Sequence, residues 1–190
     1  MRNKKTLEMT TMAMFIAIIV VMAMIPQVGF FQYGGVAITT LHVPVIISAI
    51  YGGRKFGLTI GFAFGLFSMI IAYMRPDPGN VVFQNPVIAI LPRALFGLAS
   101  AYIFIGLSKV IKNMPVVVGL TFALGTLTHT FLVLSSIAFL ENSIRAILGE
   151  FYDLIIIVMA LNGPIEIAIA VIIGTPIIIR LKNSSQFSLD

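Results

Sequence analysis

The stretch TLHVPVIISAIYGGRKFGLTIGFAFGLFSMIIAY, residues 40–73, indicates the fold of this chain. Two apolar segments flank the group Gly52-Gly53-Arg54-Lys55. The second segment approaches the roughly 20 residues that a membrane-spanning helix needs. The first, 41–51, is shorter. Its length fits either a helix that extends back through 36–40 or a short, tilted or inserted segment.

The composition of the whole chain is that of an integral membrane protein. Of its 190 residues, 59% are hydrophobic and 10% are charged, and the mean hydropathy is +1.07. Soluble domains carry about 25% charged residues. The net charge of +5 fits membrane topology better than nucleic-acid binding. Because the chain has no cysteine, it has no disulfide framework, haem-attachment motif or cysteine-based zinc site.

Six apolar segments predict an all-α integral membrane protein, a bundle of six transmembrane helices forming a single domain over residues 1–182. A polar tail, 183–190, follows. The first segment lacks a clear small-residue cleavage site, so we expect a retained helix rather than a signal peptide. A bend is expected in the last helix near Gly163-Pro164. The predicted helices are 8–25, 41–51, 56–73, 85–107, 116–140 and 152–181.

Basic residues are unevenly distributed between the two sets of loops. The first, third and fifth loops contain only Arg75 and Arg145 as basic residues. The termini and the other two loops contain nine, which are Arg2, Lys4, Lys5, Arg54, Lys55, Lys109, Lys112, Arg180 and Lys182. The positive-inside rule therefore predicts that both termini are cytoplasmic.

Titratable residues within the apolar segments are the best lead to function. A charge in hydrocarbon costs roughly 2.5 kcal/mol or more, so such residues usually line a cavity or pair with each other. Their depths from the predicted outer ends are similar, which predicts a pocket that opens outward. The alternative for Arg93 and Glu166 is an ion pair that only fixes the bundle. The candidate binding residues are His42, Asn85, Arg93, His129, Asn162 and Glu166.

Small residues recur at helical spacing on two predicted helices. Gly57, Gly61 and Gly65 lie on one face and predict close packing inside the bundle. Ala13 and Ala17 form a small-x-x-x-small pair on the first helix. That pair fits either packing within the bundle or a docking face for a partner membrane protein.

Other features leave alternatives open. The aromatic, glycine-rich loop 26–40 fits a lid over the pocket or a segment in the membrane interface. His129 and Glu166 are the only candidates for catalysis by a membrane-embedded enzyme, and a structural scaffold is a third class. We expect no metal, because His42, His129 and Glu166 lack ligand spacing. Nucleotide-binding motifs are absent, and no cofactor is expected.

Several motifs resemble the substrate-binding S components of energy-coupling factor (ECF) vitamin transporters. They are Thr40-Leu41-His42-Val43-Pro44-Val45-Ile46, Gly52-Gly53-Arg54-Lys55-Phe56-Gly57, Asn85-Pro86 with Leu91-Pro92-Arg93, and Gly125-Thr126-Leu127-Thr128-His129-Thr130. Many members of the family have Gly-Pro where this chain has Gly52-Gly53. The similarity covers residues 10–180.

The resemblance implies a vitamin site near the outer face, capped by the first external loop. It also implies two cytoplasmic ATPases, and a transmembrane coupling subunit that docks on Ala13 and Ala17. The Leu-Pro-Arg and Thr-x-Thr-His patterns are most similar to the pantothenate branch, some of whose members were labelled for hydroxymethylpyrimidine. Arg93 would pair with the pantothenate carboxylate, with Asn162, His129 and Glu166 on its polar remainder. Hydroxymethylpyrimidine and riboflavin are the alternative substrates.

Overall fold

In the computed structural model, the described residues are 4–25, 29–33, 36–76, 80–140, 144–145 and 151–183, and among them five helical segments are long and apolar enough to cross a membrane. The third of these is a pair of helices, α3 and α4. The predicted helical membrane fold is confirmed, while six crossings remain a prediction. The helices are α1 (Lys4–Met24), α2 (His42–Met74), α3 (Pro86–Ala89), α4 (Leu91–Val110), α5 (Met114–Phe139) and α6 (Phe151–Asn183).

The bend in α2 explains why two helices were expected there. Gly53 has φ 70° and ψ −156°, a backbone conformation that favours glycine. A Cβ built on Gly57 would lie 3.1 Å from the Cβ of Ala49, eight residues earlier. Eight residues of straight helix span about 12 Å, so the chain must fold back at Gly53. The predicted segments 41–51 and 56–73 are thus the two arms of α2.

The first arm of α2 lies at the centre of the bundle. Residues 42–50 are all buried, as expected for a helix that is apolar on every side. The whole of α2 contacts α1, α4, α5 and α6. Of the two alternatives for this segment, the one in which the helix extends back through 36–40 is wrong, because residues 36–39 form a β-strand and the helix begins at His42.

The predicted glycine face on the second arm of α2 packs inside the bundle. A Cβ built on Gly57, Gly61 or Gly65 would overlap backbone atoms of α4 or of the residues just before it. For Gly61, the nearest atom is the carbonyl oxygen of Arg93. Because these glycines have no side chain, the two backbones can touch. This contact fixes where the first turn of α4 lies.

Replacing Gly61 by alanine is expected to destabilise the protein by about 2 kcal/mol, since the new methyl group would push α4 away at Arg93. Thermal unfolding in detergent measures this effect. The control is Gly106→Ala on α4, where an added Cβ meets no atom within 4 Å. That change should leave the midpoint unchanged or raise it, because alanine favours helix. Equal midpoints for the two variants would contradict close packing at Gly61.

Contacts at the helix ends show which loops share a side. Lys55 Nζ lies 2.8 Å from Glu8 Oε1, so the bend of α2 lies beside the start of α1. At the other end, Arg75 Nη2 donates to the carbonyl oxygen of Met24 at 3.3 Å. These contacts agree with the predicted alternation of the first loops, in which the N-terminus and the second loop share a side. The tail after residue 183 lies outside the described residues.

A β-hairpin between α1 and α2 is an addition to the predicted all-α fold. Its strands are β1 (Phe30–Tyr33) and β2 (Val36–Thr39), which pair antiparallel with Phe30 opposite Thr39. The strands are rich in aromatic and β-branched residues, which favour extended structure. Gly34-Gly35, outside the described residues, separates them in the sequence, and such pairs are typical of hairpin turns. The sequence signal was present but short.

Candidate functional site

The start of α4 determines the surroundings of Arg93. Pro92 has no backbone N–H, so it leaves the carbonyl oxygen of Ile88 without the donor that a continuous helix would supply. The Arg93 side chain replaces this donor, with Nη1 donating to the Ile88 oxygen at 2.6 Å. The predicted helix 85–107 is therefore two helices, α3 and α4, which meet at Ile90.

Two aromatic rings hold the guanidinium of Arg93. Its Cζ lies 4.3 Å from the ring centroid of Phe83 and 5.7 Å from that of Phe64. Cations bind ring faces at such distances. The residue is only 4% exposed. Among the described residues, no carboxylate lies within 4.0 Å of this guanidinium, so the Arg93–Glu166 ion pair considered from the sequence is not formed.

The two histidines of the chain meet in the core. The rings of His42 on α2 and His129 on α5 are stacked, with centroids 5.8 Å apart and planes at 14°. His129 also contacts the edge of Phe96 at 5.0 Å and the ring of Phe64 at 5.7 Å between centroids. Phe64 therefore contacts both His129 and Arg93 and places them in one site.

Several polar atoms of this site lack a hydrogen-bond partner among the described residues. They include both ring nitrogens of each histidine, Nε of Arg93 and Oγ1 of Thr126. An unsatisfied buried polar group costs roughly 1–3 kcal/mol, so such groups seldom cluster without a function. We refer to these four residues, His42, Arg93, Thr126 and His129, as the polar cluster. It offers donors and acceptors, and one uncompensated positive charge, to a small polar molecule.

Glu166 and Asn162 lie one turn apart on α6 and are 5% and 3% exposed. Glu166 Oε1 accepts a hydrogen bond from the backbone N–H of Thr39 at 2.8 Å. The carboxylate is thus bound to the hairpin rather than to Arg93. The strand β2 lies against α6 at this point.

Asn85 has a local role at the start of α3. Its Oδ1 accepts from the backbone N–H of Val87 at 2.9 Å, and Pro86 occupies the first helical position. This is a standard helix N-cap. The neighbouring Gln84 Nε2 donates to the carbonyl oxygen of Ala72 and ties this loop to α2. The structure does not place Asn85 in contact with the polar cluster.

The two small residues of α1, Ala13 and Ala17, lie on the outer surface of the described structure. Ala13 and Ala17 are both exposed, together with Met14 and Ile18 on the same face. The opposite face carries buried Ile19. Packing of the alanine pair within the bundle is therefore not what the structure shows, and the face remains open to a partner.

The sequence analysis did not predict several residues that contact or belong to the site. Phe64, Phe83 and Phe96 have no distinctive spacing and read as ordinary apolar residues. Thr126 had a usable signal, because it lies one turn before His129 and shares its helix face. Thr39 contributes through its backbone, which no side-chain pattern reveals.

The two residues considered as candidates for catalysis, His129 and Glu166, make no hydrogen bond to each other. The ring nitrogens of His129 have no hydrogen-bond partner in the part of the chain that the structure describes, and Glu166 accepts a hydrogen bond from a backbone amide. Catalysis by a general base needs a base within hydrogen-bond reach of the group that it activates. Within the described ranges, no group of three His, Asp or Glu side chains converges as metal ligands do.

Comparison with known proteins gives consistent results. The family described as "ECF transporter, substrate-specific component" matches residues 7–178. The chain is 31% identical over 209 aligned residues to the pantothenic acid transporter PanT of Lactococcus lactis subsp. cremoris (strain MG1363). This alignment covers 99% of the present chain and 100% of the relative.

A second relative is similar over a shorter region. The pantothenate transporter PanT of Leuconostoc mesenteroides subsp. mesenteroides is 36% identical over 103 residues, or 52% of this chain and 50% of that protein. The family match and the first relative together span nearly the whole chain, so the similarity is not limited to one helix or motif.

Proposed function

The chain belongs to the family of ECF transporter substrate-specific components, and we propose that it binds pantothenate as the membrane subunit of an ATP-driven importer. Like the family, it is a multi-pass membrane transport component. The names of the two relatives support pantothenate as the substrate. The proposal concerns which vitamin is bound, which residues bind it and which subunits complete the importer.

One structural observation supports an anionic vitamin as the substrate. The guanidinium of Arg93 is buried and has no carboxylate within 4.0 Å among the described residues. A buried charge without a partner is costly, and a substrate carboxylate would remove that cost. Pantothenate carries one carboxylate, and guanidinium binds this group in a bidentate manner.

The rest of the polar cluster suits the remainder of pantothenate. The vitamin has an amide and two hydroxyl groups, which both donate and accept hydrogen bonds. The ring nitrogens of His42 and His129 and the hydroxyl of Thr126 lack partners in the described part of the chain. Asn162, buried on α6, adds an amide. Hydroxymethylpyrimidine and riboflavin have no carboxylate and would leave Arg93 unpaired.

The topology and partners follow from the family and the charge distribution. We propose six crossings, with the short first arm of α2 counted as one, and cytoplasmic termini. The importer would add a transmembrane coupling subunit and two cytoplasmic ATPases. The exposed pair Ala13 and Ala17 would contact the coupling subunit. The bacterial plasma membrane is the proposed location.

Purified protein is expected to bind pantothenate more tightly than riboflavin, thiamine, biotin, folate or hydroxymethylpyrimidine. Isothermal titration of the detergent-solubilised chain with each compound, under one buffer condition, measures this preference. The uncompensated guanidinium is the reason for the preference over riboflavin, thiamine and hydroxymethylpyrimidine, which have no carboxylate. The preference over biotin and folate rests on the donors and acceptors of the polar cluster, which suit the amide and hydroxyl groups of pantothenate.

The titration includes one control for nonspecific anion binding. Biotin and folate also carry carboxylates, so a site that recognises only charge would bind them as well as pantothenate. Preferential binding of any other vitamin in the series would reject the proposed substrate.

A further inference from the structure

We propose that Pro92 and Asn85 are positioning residues, which fix the Arg93 guanidinium so that its Nε and Nη2 edge is left for the carboxylate of the vitamin. This inference deepens the proposed function and rests on it for the identity of the ligand. The fixed orientation of the guanidinium is a separate claim, which is testable without any vitamin. It follows from how residues 80–93 fold around this side chain.

The guanidinium donates hydrogen bonds from fixed positions in one plane, and the structure occupies one of them. Nη1 of Arg93 donates to the carbonyl oxygen of Ile88 at 2.6 Å. Nε is buried and has no hydrogen-bond partner among the described residues. In a rigid planar fork, Nε and Nη2 form the edge that does not include Nη1. A carboxylate binds such an edge with both of its oxygens.

A ring of the same segment fixes the plane of the guanidinium. Its Cζ lies 4.3 Å from the ring centroid of Phe83. Phe83 belongs to the short 3₁₀ helix Val81–Gln84, and Ile88 belongs to α3, which follows it directly. One short stretch of chain therefore supplies both the ring and the carbonyl oxygen that hold Arg93. A group that is held in place before binding loses less conformational freedom when the ligand arrives.

Pro92 keeps the Ile88 oxygen available to Arg93. In a continuous α-helix, the backbone N–H of residue 92 would donate to this oxygen, and proline has no N–H. The break itself is mild, because Ile90, where α3 and α4 meet, has φ −93° and ψ −51°, close to helical values. A residue with an N–H at position 92 would therefore supply the helical donor and compete with Nη1 for the same oxygen.

Asn85 fixes the start of the helix that carries the Ile88 oxygen. Its Oδ1 accepts from the N–H of Val87 at 2.9 Å, and its carbonyl oxygen accepts from the N–H groups of Ile88 and Ala89 at 3.1 and 2.9 Å. The side-chain bond defines the first turn of a helix that is only four residues long. Asn85 also lies between Phe83 and Ile88 in the chain, so its conformation sets their relative position.

Pro92→Ala tests the first positioning residue, because it supplies the missing backbone donor. The probes are pantothenate and an alcohol in which a hydroxymethyl group replaces the carboxylate, each titrated by calorimetry. We expect the preference for the acid to fall about tenfold, as for the loss of one hydrogen bond to a charged group, while the alcohol binds within about twofold of wild type. The unfolding midpoint should stay unchanged or rise, since alanine favours helix. A merely structural role predicts weaker binding of both compounds.

The control for Pro92→Ala is Pro176→Ala, which removes an exposed proline from the interior of α6. This change also adds a backbone donor to a helix, but it does so away from Arg93. It should leave the preference for the acid unchanged. An equal loss of preference in both proline variants would overturn the role of Pro92.

Asn85→Ala tests the second positioning residue and should lower the preference for the acid about threefold, a typical effect of losing a helix cap. Asn85→Ser retains a capping oxygen and should keep the preference. The control is Asn113→Ala, which removes the corresponding cap of α5, where Oδ1 accepts from the N–H of Val116 at 3.5 Å. Direct contact between Asn85 and the vitamin predicts that serine also weakens binding, and that result would overturn the positioning role.

Side-chain NMR of arginine-labelled protein in lipid nanodiscs tests the orientation without any vitamin. The signals of Arg93 are assigned by their absence from Arg93→Lys. The Nη1 protons of wild type should be protected from exchange with water, and Pro92→Ala should speed their exchange about tenfold. Pro176→Ala should not change it. Equal exchange in wild type and Pro92→Ala would overturn the fixed orientation.

The two sets of measurements separate the possible failures. An unchanged preference for the acid in Pro92→Ala would overturn its role in recognition, even if the NMR signals of Arg93 change. Absence of pantothenate binding to wild type would reject the proposed function. In that case, the exchange of the Nη1 protons would still decide whether Pro92 positions the guanidinium.

Discussion

Replacing Arg93 by alanine is expected to weaken pantothenate binding about 30-fold or more. The estimate corresponds to about 2 kcal/mol, a typical loss when one partner of a buried charge pair is removed. Arg93 is 4% exposed and its guanidinium contacts Phe83 and Phe64, so the site is shielded from water that would otherwise solvate a bound carboxylate. Titration of wild type and variant under identical conditions measures the change.

A ligand analogue separates charge recognition from general damage. An alcohol with a hydroxymethyl group in place of the pantothenate carboxylate should bind wild type much more weakly than pantothenate does. Arg93→Ala should bind the acid and the alcohol about equally, because the group that distinguishes them is gone. Arg93→Lys should keep only part of the preference, since ammonium lacks the planar fork of guanidinium.

Stability must be measured beside affinity for this residue. Arg93 also donates to the Ile88 oxygen that Pro92 leaves free, so alanine removes a structural hydrogen bond as well. The matched control is Arg75→Ala, an exposed arginine at the end of α2 whose side chain donates to the Met24 oxygen. If Arg93→Ala lowers the unfolding temperature while the folded protein retains full affinity, Arg93 is structural only.

The sequence predicted those parts of the fold that follow from burial and helical spacing. Long apolar segments predicted the helices, and the spacing of Gly57, Gly61 and Gly65 predicted the face of α2 that packs on α4. Titratable residues inside apolar segments predicted Arg93 and His129 as members of one site, because the cost of a polar group in hydrocarbon must be offset by some contact; the structure brings both against Phe64, and their binding role stays a prediction. These inferences need only the hydrophobicity, size or charge of each residue and its position along the helix. They do not require knowing which distant residues it contacts.

The remaining features depend on backbone groups and on contacts between distant parts of the chain. Glu166 was expected near Arg93 or a ligand, but its observed partner is the amide of Thr39, which has no side-chain signature. Asn85-Pro86 is a recognisable helix start, yet it was read as a binding group before the break at Ile90 was known. A carboxylate or amide in an apolar segment shows that a partner is needed, and it does not identify that partner.

Replacing Ala13 by tryptophan is expected to abolish pantothenate uptake by cells, while binding by the isolated chain stays within about twofold of wild type. Ala13 and Ala17 are exposed one turn apart on α1, the least buried of the five spanning segments. A small surface lets a partner helix approach closely, and an indole at its centre would hold the partner away. Because the alanines face outward, the substitution should not disturb the polar cluster.

The two measurements belong on the same proteins, with Ala168→Trp as the control. Ala168 is also an exposed alanine, but it lies on α6, so its replacement adds the same side chain to a different face. It should leave both uptake and binding unchanged if docking occurs on α1. Loss of uptake in both variants would point to a general effect of tryptophan on the membrane surface. Normal uptake by Ala13→Trp and Ala17→Trp would reject docking on this face, since a close helix contact cannot accommodate an indole without separating the two backbones.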